Sequence, residues 1–205
     1  RVHGRAGTDP AEPPRDDYPF EPLEDEPAIA WLKERLQQQG LRPFPLPIAV
    51  HQGNPGTCRK GSPCDGFPCK IRAKGDGENA FLRPAMRANK SITLETQARV
   101  MRLVTGDDGR RVSGAVVRAA DGSERTVYGH TFVVAAGAVN SAALLLTSAD
   151  RHHPAGLANG SGVVGRNFMA HNNTVLMAFS PFRRNPTQFQ KTFAINDYYE
   201  SYGNV

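Results

Sequence analysis

Hydrophobic and polar positions change their period along the 205-residue chain, and each change marks a different kind of structure. Residues 1–23 show no period and are rich in proline and acidic side chains, so they are expected to run extended over a surface with little regular structure. Glu26-Pro27 opens a helix, because a proline in the first turn removes an N–H that has no partner there. The helical pattern runs through Ala28, Trp31, Leu32, Lys33 and Leu36 to a stop at Gly40, with Ile29, Leu32 and Leu36 as its buried stripe. Pro43, Pro45 and Pro47 keep Leu41 to Val50 extended, and His51 to Gly77 reads as a long loop rich in glycine, proline and cysteine.

From Ser91 the pattern alternates. Ile92–Thr96 and Ala98–Val104 read as strands, Asp107-Asp108-Gly109 as a turn, Val112–Ala119 as a strand, Asp121-Gly122 as a second turn and Glu124–Tyr128 as a last strand. The product is a meander. Thr131–Ala135 follows as an apolar, β-branched run of the kind covered on both faces of a sheet. Ala135, Ala136, Gly137 and Ala138 then form a turn with almost no side chain to hold a ligand off the backbone. Asn140 or Ser141 can cap the next helix, expected from about Ser141, whose apolar face holds Leu144 and Leu145. Strand, small-residue turn and helix in this order suit a nucleotide cofactor, and they equally suit any buried strand-to-helix turn of an α/β protein. His152–Gly165 reads as loop and Thr174–Phe179 as a strand, and no internal repeat is present.

Composition narrows the class. With 39% hydrophobic and 22% charged residues the chain can bury a core, and no apolar run approaches the roughly 20 residues of a membrane span. No basic and apolar leader follows Arg1, and location is left open between a bacterial cytoplasm and periplasm. The net charge of +5 is uneven: residues 1–30 hold eight acidic side chains against three arginines, while Arg59, Lys60, Lys70, Arg72 and Lys74 carry the basic excess. These lack interleaved aromatic residues, so a solvated surface or a phosphate-bearing cofactor fits them better than nucleic acid. Cys58, Cys64 and Cys69 fall within one twelve-residue segment. Their spacing does not match paired C-x2-C zinc units, and an iron–sulfur cluster would want a further ligand. Buried thiols, one disulfide, or a metal site with His51 as a fourth ligand remain the alternatives.

Three motifs in order carry a family resemblance: Thr96-Gln-Ala-Arg-Val100, Ala136-Gly-Ala-Val-Asn-Ser141, and Gly162-Val-Val-Gly-Arg-Asn-Phe-Met-Ala-His171. They resemble the glucose–methanol–choline (GMC) family of FAD-dependent oxidoreductases, the third with Phe168 and Ala170 as departures. Val2-His-Gly, Asp9-Pro10, Pro13-Pro14, Pro43–Pro47, Cys64-Asp-Gly-Phe-Pro-Cys69 and Phe189-Gln-Lys-Thr192 are similar to a bacterial branch of that family, so the likeness covers nearly the whole chain. The resemblance implies an α/β fold, α+β in parts: a partial Rossmann-like FAD-binding domain with a β-meander and the start of a substrate domain. Residues 1–90 would lie over the flavin and substrate region, 91–150 would supply the meander, strand and helix, and 151–205 would open the substrate domain. It further implies FAD held by Val100, Ala135, Ala136, Gly137, Ala138, Asn140, Asn167 and His171. The reaction implied is oxidation of a CH–OH group of a small alcohol or sugar by hydride transfer to flavin, with electrons passed to oxygen or another acceptor.

The Gly-x-Gly-x-x-Gly turn of the family and its catalytic histidine have no match here, which reads as an interior piece of a larger enzyme, inert without the missing portions. None of the six histidines is nominated as a general base and no metal ligand is assigned. His130, His152 and His153 are expected at the surface, and His171 is expected buried near the flavin in a hydrogen-bonding role. No Gly-x-Ser-x-Gly is present to support a hydrolase. A remnant or interaction module without cofactor, and a metal-binding loop protein, are the competing readings.

Overall fold

The structure is a computed structural model that describes residues 2–51, 58–61, 67–177, 179–182, 184–189 and 191–198. Cys64 and parts of the loop expected over His51–Gly77 lie outside these. Helices and small antiparallel sheets are mixed along the chain, in two compact units: Arg1–Thr93 with Ala178–Val205, and Leu94–Met177.

In the first unit, β1 (Val2–His3) pairs antiparallel with β3 (Ile48–Ala49), and β2 (Phe44–Pro45) with β7 (Phe193–Ala194). Strands this short reflect the prolines around them, which cannot donate to a ladder. Besides the β1 ladder and the His3–Phe20 bridge, side chains order the acidic N-terminal segment: Tyr18 donates to Glu12 Oε1 (2.8 Å), Asp17 accepts the Ala6 N–H (3.1 Å), and the Arg15 guanidinium sits 3.9 Å over the Tyr18 ring. Helix α1 spans Pro27–Gln38 behind Glu26, as the proline-led pattern predicts. Its expected stripe is only half-buried: Ile29 and Leu36 are partly covered and Leu32 is exposed, while Lys33 turns to Asp25 (3.1 Å). A π-helical turn, Glu78–Leu82, leads into α2 (Arg83–Ala88).

The second unit holds the meander. β4 (Arg99–Thr105), β5 (Val112–Arg118) and β6 (Glu124–Tyr128) form one antiparallel sheet in that order, with Leu103 opposite Ala115 and Ala115 opposite Val127. Leu103, Ala115 and Leu157 form the core, and Val112, Phe132, Val134, Leu144 and Leu145 pack against it. α3 spans Gly137–Thr147.

Four expectations are corrected. Ile92–Thr96 forms no strand, because Gln97 takes a left-handed φ of 56° and turns the chain just before the ladder begins at Arg99. Thr131–Ala135 is extended but has no strand partner among the described residues. Phe132 and Val134 face the core, and Val133 on the other side is 85% exposed. α3 begins at Gly137, not near Ser141, since Gly137 turns the chain at a φ of 78° and the small residues after it already suit a helix. Thr174–Met177 and Phe179 form no strand and are exposed, again unpaired among the described residues.

Candidate functional site

Within residues 94–177 a groove of about 1140 Å³ runs between β4 and α3. Leu94, Glu95, Ala98, Arg99, Val100, Met101 and Leu103 line one side, Asn140, Ala143, Leu144 and Thr147 the other, and Phe132–Ala136 lie along it together with Ala115. Asn140, Ala143, Leu144 and Thr147 recur at helical spacing, so one face of α3 is committed to the groove. Four of the sequence-predicted cofactor residues, Val100, Ala135, Ala136 and Asn140, therefore meet in one cavity. Gly137 and Ala138 follow directly in the first turn of α3, exposed, and the position a Cβ would take on Gly137 has nothing within 4 Å. The backbone here is open to a flat ligand.

The cap differs from the expectation. Ala136 precedes the helix, and Ser141 Oγ reaches back to accept the Ala136 N–H (3.1 Å), while Asn140 sits one turn inside the helix, on the groove. Its amide makes no hydrogen bond among the described residues and is available to a ligand. Charge in the groove comes from Glu95, which pairs with Arg125, and from Arg99. Asn167, at a left-handed φ of 56°, and His171 do not line the groove. His171 is exposed rather than buried, because residues 168–177 form no helix or strand and are exposed throughout.

What joins the two sides of the groove was not visible in the motifs. Ser148, 2% exposed, accepts the Leu103 N–H (2.8 Å) and donates to the Leu144 carbonyl (2.6 Å). Asp150 accepts the Thr105 hydroxyl (2.5 Å) and the N–H groups of His152 and His153 (2.8 and 2.7 Å). Thr105 foremost, then these N–H groups and the His153 ring, hold the Asp150 carboxyl below its ordinary pKa. His152 is exposed as expected and His153 is half-buried; their Nε2 atoms lie 3.0 Å from the Asp107 carbonyl and 2.8 Å from that of Gly109. Both rings thus tie the β4–β5 turn to the end of α3.

In the first unit Cys58 and Cys69 are free, half-buried thiols. Cys69 Sγ accepts the Ala73 N–H (3.2 Å), and this bond above all lowers the thiol pKa. Among the described residues no three of His, Cys, Asp or Glu are grouped to hold a metal. No helix among them is long and apolar enough to cross a membrane.

Comparison with known proteins meets this geometry. A model of the GMC oxidoreductase family matches residues 30–173, more than half of the chain. The chain is 36% identical over 146 residues to 6'''-hydroxyparomomycin C oxidase of Streptomyces lividus, covering 68% of this chain and 26% of that protein. It is 38% identical over 133 residues to paromamine 6'-oxidase of Streptomyces fradiae, covering 62% and 24%. To the gluconate 2-dehydrogenase flavoprotein of Pantoea cypripedii it is 26% identical over 162 residues, covering 75% and 26%. The chain spans about a quarter of the length of these relatives.

Proposed function

The chain belongs to the GMC oxidoreductase family, and from that footing we propose that residues 94–177 are part of a flavin-binding domain whose groove takes FAD. The observation that carries the proposal is the meeting of Val100, Ala135, Ala136 and Asn140 in one cavity of about 1140 Å³. The residues fit the cofactor: small side chains at 135–138 let a planar group approach the backbone, Val100 and Leu144 offer apolar faces, and the Asn140 amide is free to orient polar edges. Val100 and Ala135–Ala138 would hold the adenine end by main-chain contact. Asn167 and His171, which do not line this groove, would reach the flavin only from another side.

When bound, FAD supplies acceptance of a hydride from a CH–OH carbon. This chain's share is to bind and orient it and to keep water from its apolar faces. We take the finer fold reading to be a partial Rossmann-like domain completed by other portions of the protein, with the core-facing Phe132 and Val134 as its apolar side here. Two relatives are named as oxidases of paromamine and of 6'''-hydroxyparomomycin C, and the third as a gluconate 2-dehydrogenase flavoprotein. We take the substrate class as a hydroxyl-bearing sugar or alcohol, with electrons passing to oxygen or an acceptor partner.

The test is purification from the complete coding sequence, followed by flavin absorbance and FAD titration. Bound flavin that reduces on adding an alcohol, a sugar or paromamine is the expected result. A colourless protein that FAD does not stabilise overturns the reading.

A further inference from the structure

We propose that Ser148 and Asp150 are positioning residues of the cofactor groove: from the end of α3 they grip β4 at Leu103 and Thr105, and so set the separation of the two sides between which FAD binds. The proposal rests on the reading of the groove as a flavin site. β4 is an edge strand of the sheet β4-β5-β6, so the N–H groups on its outer side have no ladder partner, and a buried one must find another acceptor. Leu103, 7% exposed, finds Ser148 Oγ at 2.8 Å. The same hydroxyl gives its only proton to the Leu144 carbonyl at 2.6 Å, so one oxygen bridges strand and helix with both roles used. Two residues further along the same strand, Thr105 donates to Asp150 Oδ2 at 2.5 Å, while Asp150 Oδ1 is occupied by the N–H groups of His152 and His153.

Two successive outward positions of β4 are therefore fixed to the segment directly after α3. Both partners also bear on the groove: Leu103 and Leu144 line it, and Val100 lies three residues before Leu103 on the strand. The β4–β5 register shifts between Val100 and Arg102. The stretch of β4 that carries Val100 is thus less tightly templated by its neighbour strand than the stretch that is clasped. Packing of Leu103 against Leu144 and Leu145, and the His152 and His153 rings on the β4–β5 turn, also join β4 to α3, but the clasp is what fixes the strand itself by directional hydrogen bonds, at Leu103 and Thr105.

The protein expressed from its complete coding sequence is compared with Ser148→Ala, Asp150→Ala, Asp150→Asn and, as a control in the other unit, the buried Phe44→Leu. Three quantities are read: hydrogen exchange of the Leu103 amide, the dissociation constant for FAD, and the melting temperature. Ser148→Ala is expected to speed Leu103 exchange and to weaken FAD about tenfold, the scale on which a buried donor left without an acceptor acts. Asp150→Ala weakens FAD in the same direction, and Asp150→Asn, which keeps one oxygen for the two N–H groups and meets Thr105 with an NH2 that donates to its hydroxyl oxygen, recovers part of the loss. Phe44→Leu lowers the melting temperature and leaves FAD affinity unchanged. Should Ser148→Ala not accumulate, Thr105→Val removes the clasp from the strand side and is read in the same way. FAD bound by Ser148→Ala or Thr105→Val as tightly as by the parent, or lost equally from Phe44→Leu at matched melting temperature, overturns the proposal. A parent protein that takes up no FAD instead overturns the groove reading itself, a result distinct from the first.

Discussion

Gly156→Ala has a cost that the geometry defines from both sides. Gly156 has a φ of 100°, and a Cβ there would lie 2.8 Å from Leu146 Cα and 3.0 Å from the Leu145 carbonyl oxygen. Left-handed backbone costs a residue with a Cβ roughly 1–2 kcal/mol on its own. The neighbours it would strike are main-chain atoms of α3, so no rotamer change relieves the contact and the loop must move. Its next residue, Leu157, is 5% exposed, packs in the core with Leu103 and Ala115, and donates its N–H to the Leu145 carbonyl at 2.9 Å. Losing that bond costs about 1 kcal/mol, and withdrawing Leu157 part of the way adds some fraction of the roughly 2–5 kcal/mol that a buried leucine truncation costs. Gly156→Ala is therefore expected to destabilise by about 3–5 kcal/mol. Gly122→Ala is the matched control, since Gly122 has a φ of 85° with nothing within 4 Å of its Cβ position, and only the backbone cost of about 1–2 kcal/mol applies. Urea unfolding of both variants beside the parent, with the midpoint shift taken at constant slope, measures the difference. Equal shifts for the two glycines would refute the packing account and leave only backbone conformation.

Ala136→Phe puts a ring into the groove from an exposed position, so it is expected to lower FAD affinity at least about tenfold without lowering the melting temperature; unchanged FAD titration would count against the groove. Glu26 accepts the N–H groups of Phe189 and Gln188 (2.8 and 3.0 Å), which hold its pKa below the ordinary glutamate value. A lowered folded pKa means stability that is present above the unfolded value and lost as pH falls through the folded one. The parent should thus lose melting temperature on acidification more steeply than Glu26→Gln, and parallel profiles would dismiss the clamp. Val175, Leu176, Met177 and Phe179 are 77%, 93%, 92% and 94% exposed, so residues 1–205 expressed alone should self-associate. Leu176→Asp with Phe179→Asp should shift light scattering toward monomer; no shift would show that this segment is not the adhesive surface.

The elements that local chemistry dictates were legible in the sequence. Proline at the head of α1, the Asp-Gly turns and the alternation of the meander each act within a few residues, and α1, β4, β5 and β6 stand within a residue or two of their expected bounds. Misread elements depend on partners far away in sequence. Thr131–Ala135 has the composition of a strand covered on both faces, yet only Phe132 and Val134 meet a core. Its pattern describes the surroundings for which the residues are suited, and a ladder requires a neighbouring strand that the described residues do not provide. Leu32 on α1 follows the same logic, being apolar at helical spacing and still 41% exposed.

The candidate site divides along the same line. The 135–140 turn could be singled out by residue type and Val100 through the family resemblance of its motif, but Ala143 and Thr147 could not, because placing Asn140 as a cap put it outside the helix and hid the face on which Asn140, Ala143, Leu144 and Thr147 lie together. Starting the helix at Gly137 exposes that periodicity at once. Ser148 and Asp150 are harder still. Their partners Leu103 and Thr105 are each 45 residues away, and a serine after a leucine run carries no sign of which distant N–H it will accept. A short polar side chain just past a helix end has two local uses, capping that helix or meeting solvent. Ser148 does the first by donating to Leu144 and, being buried, still has an acceptor oxygen that needs a donor. The edge of β4 supplies an uncharged donor that satisfies it, the unladdered N–H of Leu103. That requirement, more than any motif, brings the two sides of the groove together.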